Sequence, residues 1–457
     1  MPRGKQPQPQ PYREFDTLVP DSAHADELRR VFCCKEFAKL RDFVLRADES
    51  DDFFRYSKRR GIGECITLRN YVGVVCFANG RQIEILPKIA GDDDAAARRL
   101  VLNMLSSLPH TPFREGGTAT LSTCRMPLMD AFISMFVQEV QNLVRSGIRA
   151  DYVPRRGNLN SLRGRLLPTC QLRHNLLHPE RLFCAYDEYD LNCPENRLVK
   201  TTLLMLRRYT ASARLLRSIN ELLLHFDGVE SSTSVEADFN KARTDRSRRV
   251  YTHLLNWARV FLCRRSFSNF AGNKDACALL FPMERLFEDY VALHVRRIFE
   301  KEYGWNVKTQ AGGHFLFSTD AERHFPLRLD ILARKGEQTI VMDTKWKRLE
   351  NDPSKHFGVS TADMFQMNAY AAALHTSEIY LLYPRMDWMD RYCSPCSDSE
   401  PLEPLKIYTD THPATTTTPA LPRLNVHVFP LDALSVPQSI KALLKYADSR
   451  TPAKPHP

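Results

Sequence analysis

Leu327-Arg-Leu-Asp-Ile-Leu-Ala-Arg334 and Thr339-Ile-Val-Met-Asp-Thr-Lys345 are the two stretches that decide how this chain reads. Both alternate with the period of a β-strand, in which successive side chains point to opposite faces. In the first, Leu327, Leu329, Ile331 and Ala333 share one face, and Asp330 stands mid-strand on the other. Aspartate is depleted in strands, so a central one calls for a chemical reason. In the second, Asp343 and Lys345 share a face, with Ile340 and Met342 opposite. A hairpin across Lys335-Gly336 would bring Asp330 and Asp343 together. Two adjacent carboxylates repel unless a cation or a proton lies between them. An all-oxygen pair suits Mg²⁺, which keeps waters for chemistry. Lys345 beside them is placed to position or activate a water, or to stabilise charge developing on a phosphoryl group. The plainer alternative is two surface carboxylates in salt bridges with Arg328 and Lys347.

The flanks add polar groups aimed at the same place. Residues 283–302 have the spacing of an amphipathic helix, with Glu284 and Glu288 on one face. Like charges four apart on a helix repel unless something offsets them. Glu288 is a candidate third metal ligand beside Asp330 and Asp343, and Glu284 a solvated or salt-bridged residue. Thr361–Leu374 reads as a helix carrying Gln366 and Tyr370 four apart, and Glu378–Tyr383 as a buried strand ended by Pro384. The order helix, strand, strand, helix, strand fits the PD-(D/E)XK nuclease core, with Asp330, Asp343 and Lys345 catalytic. Gln366-x-x-x-Tyr370 resembles the QxxxY motif of the RecB-like branch of these nucleases. Gln366, Tyr370 and Lys347 are candidates for shaping the site or contacting DNA.

The rest of the chain frames this core. At 457 residues it is long enough for about three domains. The pattern predicts an α/β multidomain protein with a disordered tail over 1–15 and a β-rich module over 16–90. A mostly helical region over 91–265 and a nuclease domain over 266–457, with a mixed sheet flanked by helices, complete it. In the β-rich module, runs at 65–68, 71–77 and 82–86 read as strands, and Ala78-Asn-Gly-Arg81 as a hairpin turn. Asp94 is the expected N-cap of a helix starting near Ala95. The segment 397–423 reads as a low-complexity loop. The N-terminus has no apolar stretch of signal-peptide type, and no run is long enough to span a membrane, so the expected compartment is the cytoplasm. The twelve cysteines read as reduced thiols. A net charge of +10 favours polyanionic partners. No G-x-x-x-x-G-K-[ST] occurs, so the chain shows no P-loop of its own. The basic run Arg155, Arg156, Arg163 and Arg165 is a candidate partner or DNA contact, or a solvated turn.

Taken together, the order of motifs resembles McrC, the nuclease subunit of McrBC-type modification-dependent restriction systems. The resemblance spans roughly residues 65–430. It rests on Asn70-Tyr-Val-Gly-Val-Val75, Ile83-Glu-Ile-Leu-Pro-Lys88, Arg163-Gly-Arg165, Pro194-Glu-Asn-Arg-Leu-Val-Lys200, Phe281-Pro-Met-Glu-Arg-Leu-Phe-Glu288, the Asp330/Asp343-Thr-Lys345 core and Tyr380-Leu-Leu-Tyr-Pro384. It implies an endonuclease that cuts double-stranded, modified DNA with Mg²⁺. It also implies a hexameric McrB-like AAA+ partner, which binds the GTP and whose GTPase this subunit stimulates. Two other classes stay open: a stand-alone RecB-like nuclease, and a non-cutting activator of an AAA+ NTPase.

Overall fold

The computed structural model describes residues 10–450 except 21–28, 47–52, 61, 78–81, 92, 109–111, 115–124, 179, 243–248, 263–275, 320–321, 394–402 and 411–423. The turn expected at 78–81 lies outside the described residues. The chain packs into two compact units, neither continuous in sequence: Met1–Gln10, Val74–Glu84 and Met126–Leu279 form one, and Pro11–Gly73, Ile85–Arg125 and Leu280–Pro457 the other. The successive blocks expected from sequence are therefore interleaved. Among the described residues no helix is long and apolar enough to cross a membrane.

The larger unit is built on a six-stranded mixed sheet: β1 (Asn306–Ser318), β2 (Arg323–Lys335), β3 (Gln338–Thr344), β4 (Glu378–Pro384), β5 (Lys406–Thr409) and β6 (Asn425–Leu431), in the spatial order β1-β2-β3-β4-β6-β5. The expected hairpin is present, with β2 and β3 antiparallel and Lys335 opposite Gln338. β3, β4 and β6 run parallel. A parallel neighbour needs a crossover, and helix α2 (Thr361–Leu374) lies in the connection from β3 to β4. Val341, Ile379 and Leu381 pack with Met367, Tyr370 and Ala371 of α2 on one face. On β6, His427 and Phe429 lie against Tyr446 of α3 (Val436–Arg450). Covered strands of this kind read as continuous apolar runs, which is why Glu378–Tyr383 was legible. Helix α1 (Met283–Tyr303) precedes the sheet, and its first N–H, from Met283, bonds to the Asn70 carbonyl at 3.1 Å.

Four expectations need correcting here. The sequence order omitted β1, whose polar and apolar residues alternate irregularly around a register shift between Ala311 and His314. The 397–423 loop contains β5, a four-residue edge strand too short to stand out from its Pro- and Thr-rich surroundings. The disordered tail does not extend to residue 15. Gln10–Arg13 is a strand, and Tyr12 and Glu14 are buried. Arg13 pairs with Asp94 at 2.8 Å, so the helix cap is Asp93, whose carboxylate accepts the Ala95 and Ala96 N–H groups. A second sheet of this unit runs Arg29–Phe32, Thr17–Pro20, Gly63–Leu68, Phe54–Arg59, beside the helix Cys34–Arg46.

The smaller unit carries helices at Leu128–Ser146, Pro168–Asn175, Pro194–Leu206, Ala213–His225, Val235–Lys241 and Arg249–Leu262. Pro194-Glu-Asn-Arg opens one of them as a polar clamp. Glu195, 2% exposed, takes Arg149 at 2.8 Å; Asn196 bonds the Arg149 and Leu191 carbonyls; Arg197 takes Asp238 at 2.6 Å. The mostly helical expectation missed a three-stranded antiparallel sheet, Asp151–Leu159, Leu182–Asp190 and Arg165–Leu166. Its strands carry exposed polar residues and little apolar alternation, so period two was hidden. Gly164, at φ +68°, crosses this sheet where a Cβ would meet Tyr186 Cα at 2.9 Å, and only glycine fits.

Glu14 sets a pH test of this fold. Burial pushes its carboxyl up from 4.5 to about 7, against the Lys88 and Trp346 N–H groups that favour the anion. A pKa raised by folding means that stability is full below pH 4.5, falls as pH rises to about 7, and is level above. Glu14→Gln removes this slope. Its advantage over wild type in denaturant melts should therefore grow by up to about 3 kcal/mol between pH 4.5 and 7.5. Parallel curves for the two proteins would show that Glu14 ionises in the fold as it does in water.

Candidate active site

The register of the hairpin builds the site. Ile331 faces Met342. Asp330 and Asp343 follow this last pair at the open end of the ladder, close enough for the charge of Asp330 to act on Asp343. Asp330 is fixed by its neighbour strand: Thr344 donates both its N–H (2.8 Å) and its Oγ–H (2.9 Å) to Asp330 Oδ2. Asp343 is fully buried, at 0% exposure, and Lys345 Nζ lies 2.5 Å from its Oδ2 as an ion pair. Neither oxygen of Asp343 receives a well-aligned hydrogen bond. A buried carboxylate in that condition is costly unless charge compensates it.

Lys345 is held from its other side by α2. Its Nζ donates to Gln366 Oε1 at 3.1 Å; Gln366 Nε2 donates to the Tyr370 hydroxyl at 2.6 Å; and that hydroxyl donates to the Arg328 carbonyl at 2.7 Å. The i, i+4 pair thus forms a relay from Lys345 back to the strand that carries Asp330. The backbone of Lys345 is anchored as well, its N–H bonding the Leu382 carbonyl at 2.9 Å.

The charges explain the titration of the site. Burial, then the charge of Asp330, pushes Asp343 up to about 7. Burial, then Asp330, also lifts Glu288 of α1 to about 7, and its Oε1 is buried with no hydrogen-bond partner. Burial works against the Lys345 ammonium, but Asp343 outweighs it and holds the lysine above its ordinary value. Three acids therefore share one field with the Lys345 ammonium, and the Arg328 guanidinium also favours the Glu288 anion. Such a donor set of hard oxygens fits a divalent cation of the Mg²⁺ type. Among the described residues, no three His, Cys, Asp or Glu side chains converge tightly enough to enclose an ion by themselves. Mg²⁺ commonly takes only one or two carboxylates and fills its shell with water and phosphate oxygens. Asp330 and Asp343 suffice for that, with Glu288 as the third acid of the site.

Other expected residues are placed differently. Lys347 is tied to Asp363, with contacts of 3.0 and 2.8 Å to the two carboxylate oxygens. Asp363 is itself buried, and Tyr383 donates to it at 3.2 Å. It was missed, although Ser360-x-x-Asp363 has the spacing of a helix N-terminus, and Ser360 Oγ accepts the Asp363 N–H. Thr344 was missed too; its role comes from the backbone ladder, which sequence does not display. Glu284 is exposed, as expected. On the small sheet of the other unit, Arg155 pairs with Glu188 and Asp190, and Arg163 lies 4.6 Å over the Tyr186 ring. Arg156 and Arg165 are exposed on the same sheet.

Glu288 gives a sharp test of this electrostatic picture. In metal-free buffer at pH 8, Glu288→Gln removes a largely buried negative charge that faces Asp330. The variant should be more stable than wild type by about 1 kcal/mol in chemical denaturation. A loss of stability would mean that the carboxylate has a compensating partner in the folded protein.

The family and its structural relatives can now be set beside this geometry. A family model described as the McrBC 5-methylcytosine restriction system component matches residues 66–384. No curated protein matches the chain. A solved chain from a Thermococcus gammatolerans half-complex, taken from a tetradecameric assembly of McrB AAA+ hexamers with bound McrC, aligns with a TM-score of 0.67. It shares 16% identity over 96% of this chain and 100% of its own length, a likeness of fold. A second, from the cryo-EM structure of the Thermococcus gammatolerans McrBC complex, aligns with a TM-score of 0.46 and 19% identity over 64% of this chain and 88% of that one. The family match spans well over half of the sequence and includes Glu288, Asp330, Asp343, Lys345, Gln366 and Tyr370, and the chain belongs to the McrBC 5-methylcytosine restriction system component family.

Proposed function

We propose that this chain is the McrC-like nuclease subunit of a restriction system, cutting double-stranded DNA with Mg²⁺ at Asp330, Asp343 and Lys345. One observation carries the reading. Asp330 and Asp343 lie side by side on neighbouring strands, and the Lys345 ammonium is clamped between Asp343 and the Gln366–Tyr370 relay. A purely structural salt bridge has no need of a second carboxylate opposite the first. The six-stranded sheet with α1 and α2 on either side of the motif in sequence has the order of a PD-(D/E)XK core.

In phosphodiester hydrolysis a water oxygen bonds to phosphorus, the ester P–O bond breaks, and the proton ends on the leaving oxygen. Bound at Asp330 and Asp343, Mg²⁺ would polarise the phosphate and lower the pKa of a water. The protein's own groups do the rest. Thr344 fixes the Asp330 carboxylate so that one oxygen stays turned away from its donors. Lys345 keeps its proton and supplies a fixed positive charge where negative charge grows on the phosphate. The relay through Gln366 and Tyr370 holds that ammonium in one direction, which saves reorganisation at the moment of reaction.

The partner follows from the family and from the assembly named for the structural relative. We assign to this chain a McrB-like hexameric AAA+ GTPase, which binds the GTP and whose hydrolysis this subunit stimulates. The exposed Arg156 and Arg165 are its candidate contacts.

The deciding experiment combines the chain with such a partner, GTP and Mg²⁺ on methylated and unmethylated duplex. Asp343→Ala should lower cutting by about 10³-fold or more while the partner's GTPase stays stimulated. Unchanged cutting would remove the catalytic assignment and leave an activator. Efficient cutting by the chain alone would point to a stand-alone nuclease. Gln366→Ala should lower kcat about tenfold and leave the affinity for DNA as it was.

A further inference from the structure

Directly after Lys345 the chain leaves the sheet, and residues 345–350 have no regular secondary structure. A lysine one residue beyond a strand keeps its backbone direction only if the next residue is also held. Trp346 is that residue. It is 6% exposed, and its indole Nε1–H donates to both carboxylate oxygens of Glu14, at 3.1 Å each. Its ring lies 5.2 Å from the ring of Phe287, the residue before Glu288 on α1. Trp346 therefore sits between the end of the catalytic strand and the helix turn that carries the third acid.

Glu14 is itself fixed from three sides. Its N–H bonds the Leu86 carbonyl at 3.1 Å, its Oε1 accepts the Lys88 N–H at 2.9 Å, and Arg13 before it pairs with Asp94. At 1% exposure, a glutamate has no reason to be there for solubility, and an apolar residue would fill the space at less cost. What a carboxylate gives that an apolar residue cannot is a directed acceptor for an indole N–H. All these groups belong to the larger unit.

We propose that Glu14 is a positioning residue of the nuclease site, acting through the Trp346 indole to hold Lys345 and Glu288 at their places around Asp330 and Asp343. This rests on the nuclease function proposed above and adds to it a group 332 residues away in sequence. Groups that orient catalytic side chains in this way commonly cost 10- to 100-fold when removed.

The test uses the full chain with its AAA+ partner and compares wild type, Glu14→Leu, Glu14→Gln, Trp346→Phe and the Glu14→Leu/Trp346→Phe pair. Trp346→Phe keeps a ring on Phe287 and deletes only the N–H. Four quantities are read: kcat and KM for DNA cleavage, the partner's GTPase stimulation, and amide hydrogen exchange over residues 343–350 in metal-free buffer, which needs no activity. Glu14→Leu should speed exchange in that segment about tenfold and lower kcat by about 10- to 100-fold. KM should stay within about twofold and GTPase stimulation intact. Glu14→Gln, which keeps an acceptor, should recover most of the rate. The double variant should be no worse than Glu14→Leu, because both changes break one link. Unchanged exchange, additive losses, or faster exchange with an unchanged kcat would each overturn the proposal. A failure of the nuclease function itself looks different: Asp343→Ala then cuts as wild type does, whatever Glu14 carries.

Discussion

A carboxylate with no exposed surface is an expensive thing to place at the end of a β-strand, and Asp343 is tolerated there through the ammonium of Lys345 2.5 Å away. Much of the larger unit can be understood as the apparatus that keeps this pair together. The antiparallel β2–β3 pairing leaves Asp330 near Asp343 at its open end, where Thr344 holds it. The parallel β3–β4 pairing anchors the Lys345 backbone on Leu382. The crossover helix α2 delivers Gln366 to the lysine and buries Tyr370 against the sheet. Burial raises the Asp343 pKa and the neighbouring Asp330 raises it further, in spite of the Lys345 ammonium. That excess of negative charge is the electrostatic ground for the cation proposed here.

The core of this arrangement was legible in the sequence because it obeys period two. Asp330 breaks an apolar alternation, and Asp343 and Lys345 share one face, so their juxtaposition needed only the Lys335-Gly336 turn. Gln366 and Tyr370 were legible through helical spacing. What stayed hidden depended on the backbone or on distant contacts. The Thr344 N–H is a ladder group with no side-chain signature. Asp363 looks like an ordinary cap until Tyr383 and Lys347 close on it. Glu14 lies in a Pro- and Gln-rich start that composition alone assigns to a tail. The small sheet around Arg155 and Arg163 is exposed and polar, so its strands lack the apolar stripe by which strands are usually found.

The smaller unit uses charge in another way. Arg149–Glu195 and Arg197–Asp238 are closed pairs that satisfy the start of one helix. Tyr251 adds a hydroxyl to Asn196 at 2.8 Å, and Lys200 reaches the Phe226 carbonyl at 3.1 Å. These contacts brace the start of a helix, whereas neither oxygen of the buried Asp343 carboxylate receives a well-aligned hydrogen bond.

The bond between Glu14 and Trp346 joins residues at opposite ends of ribosomal time. At about 5–20 residues per second the 332 residues between them take roughly tens of seconds to synthesise. Throughout that interval the N-terminal strand exists without its indole partner, and the catalytic strand has not been made. Contacts of such sequence separation also form late in folding, after local helices and hairpins. A nascent chain that ends before Trp346 therefore lacks this contact, and the proposed nuclease site cannot be complete until synthesis has passed that residue.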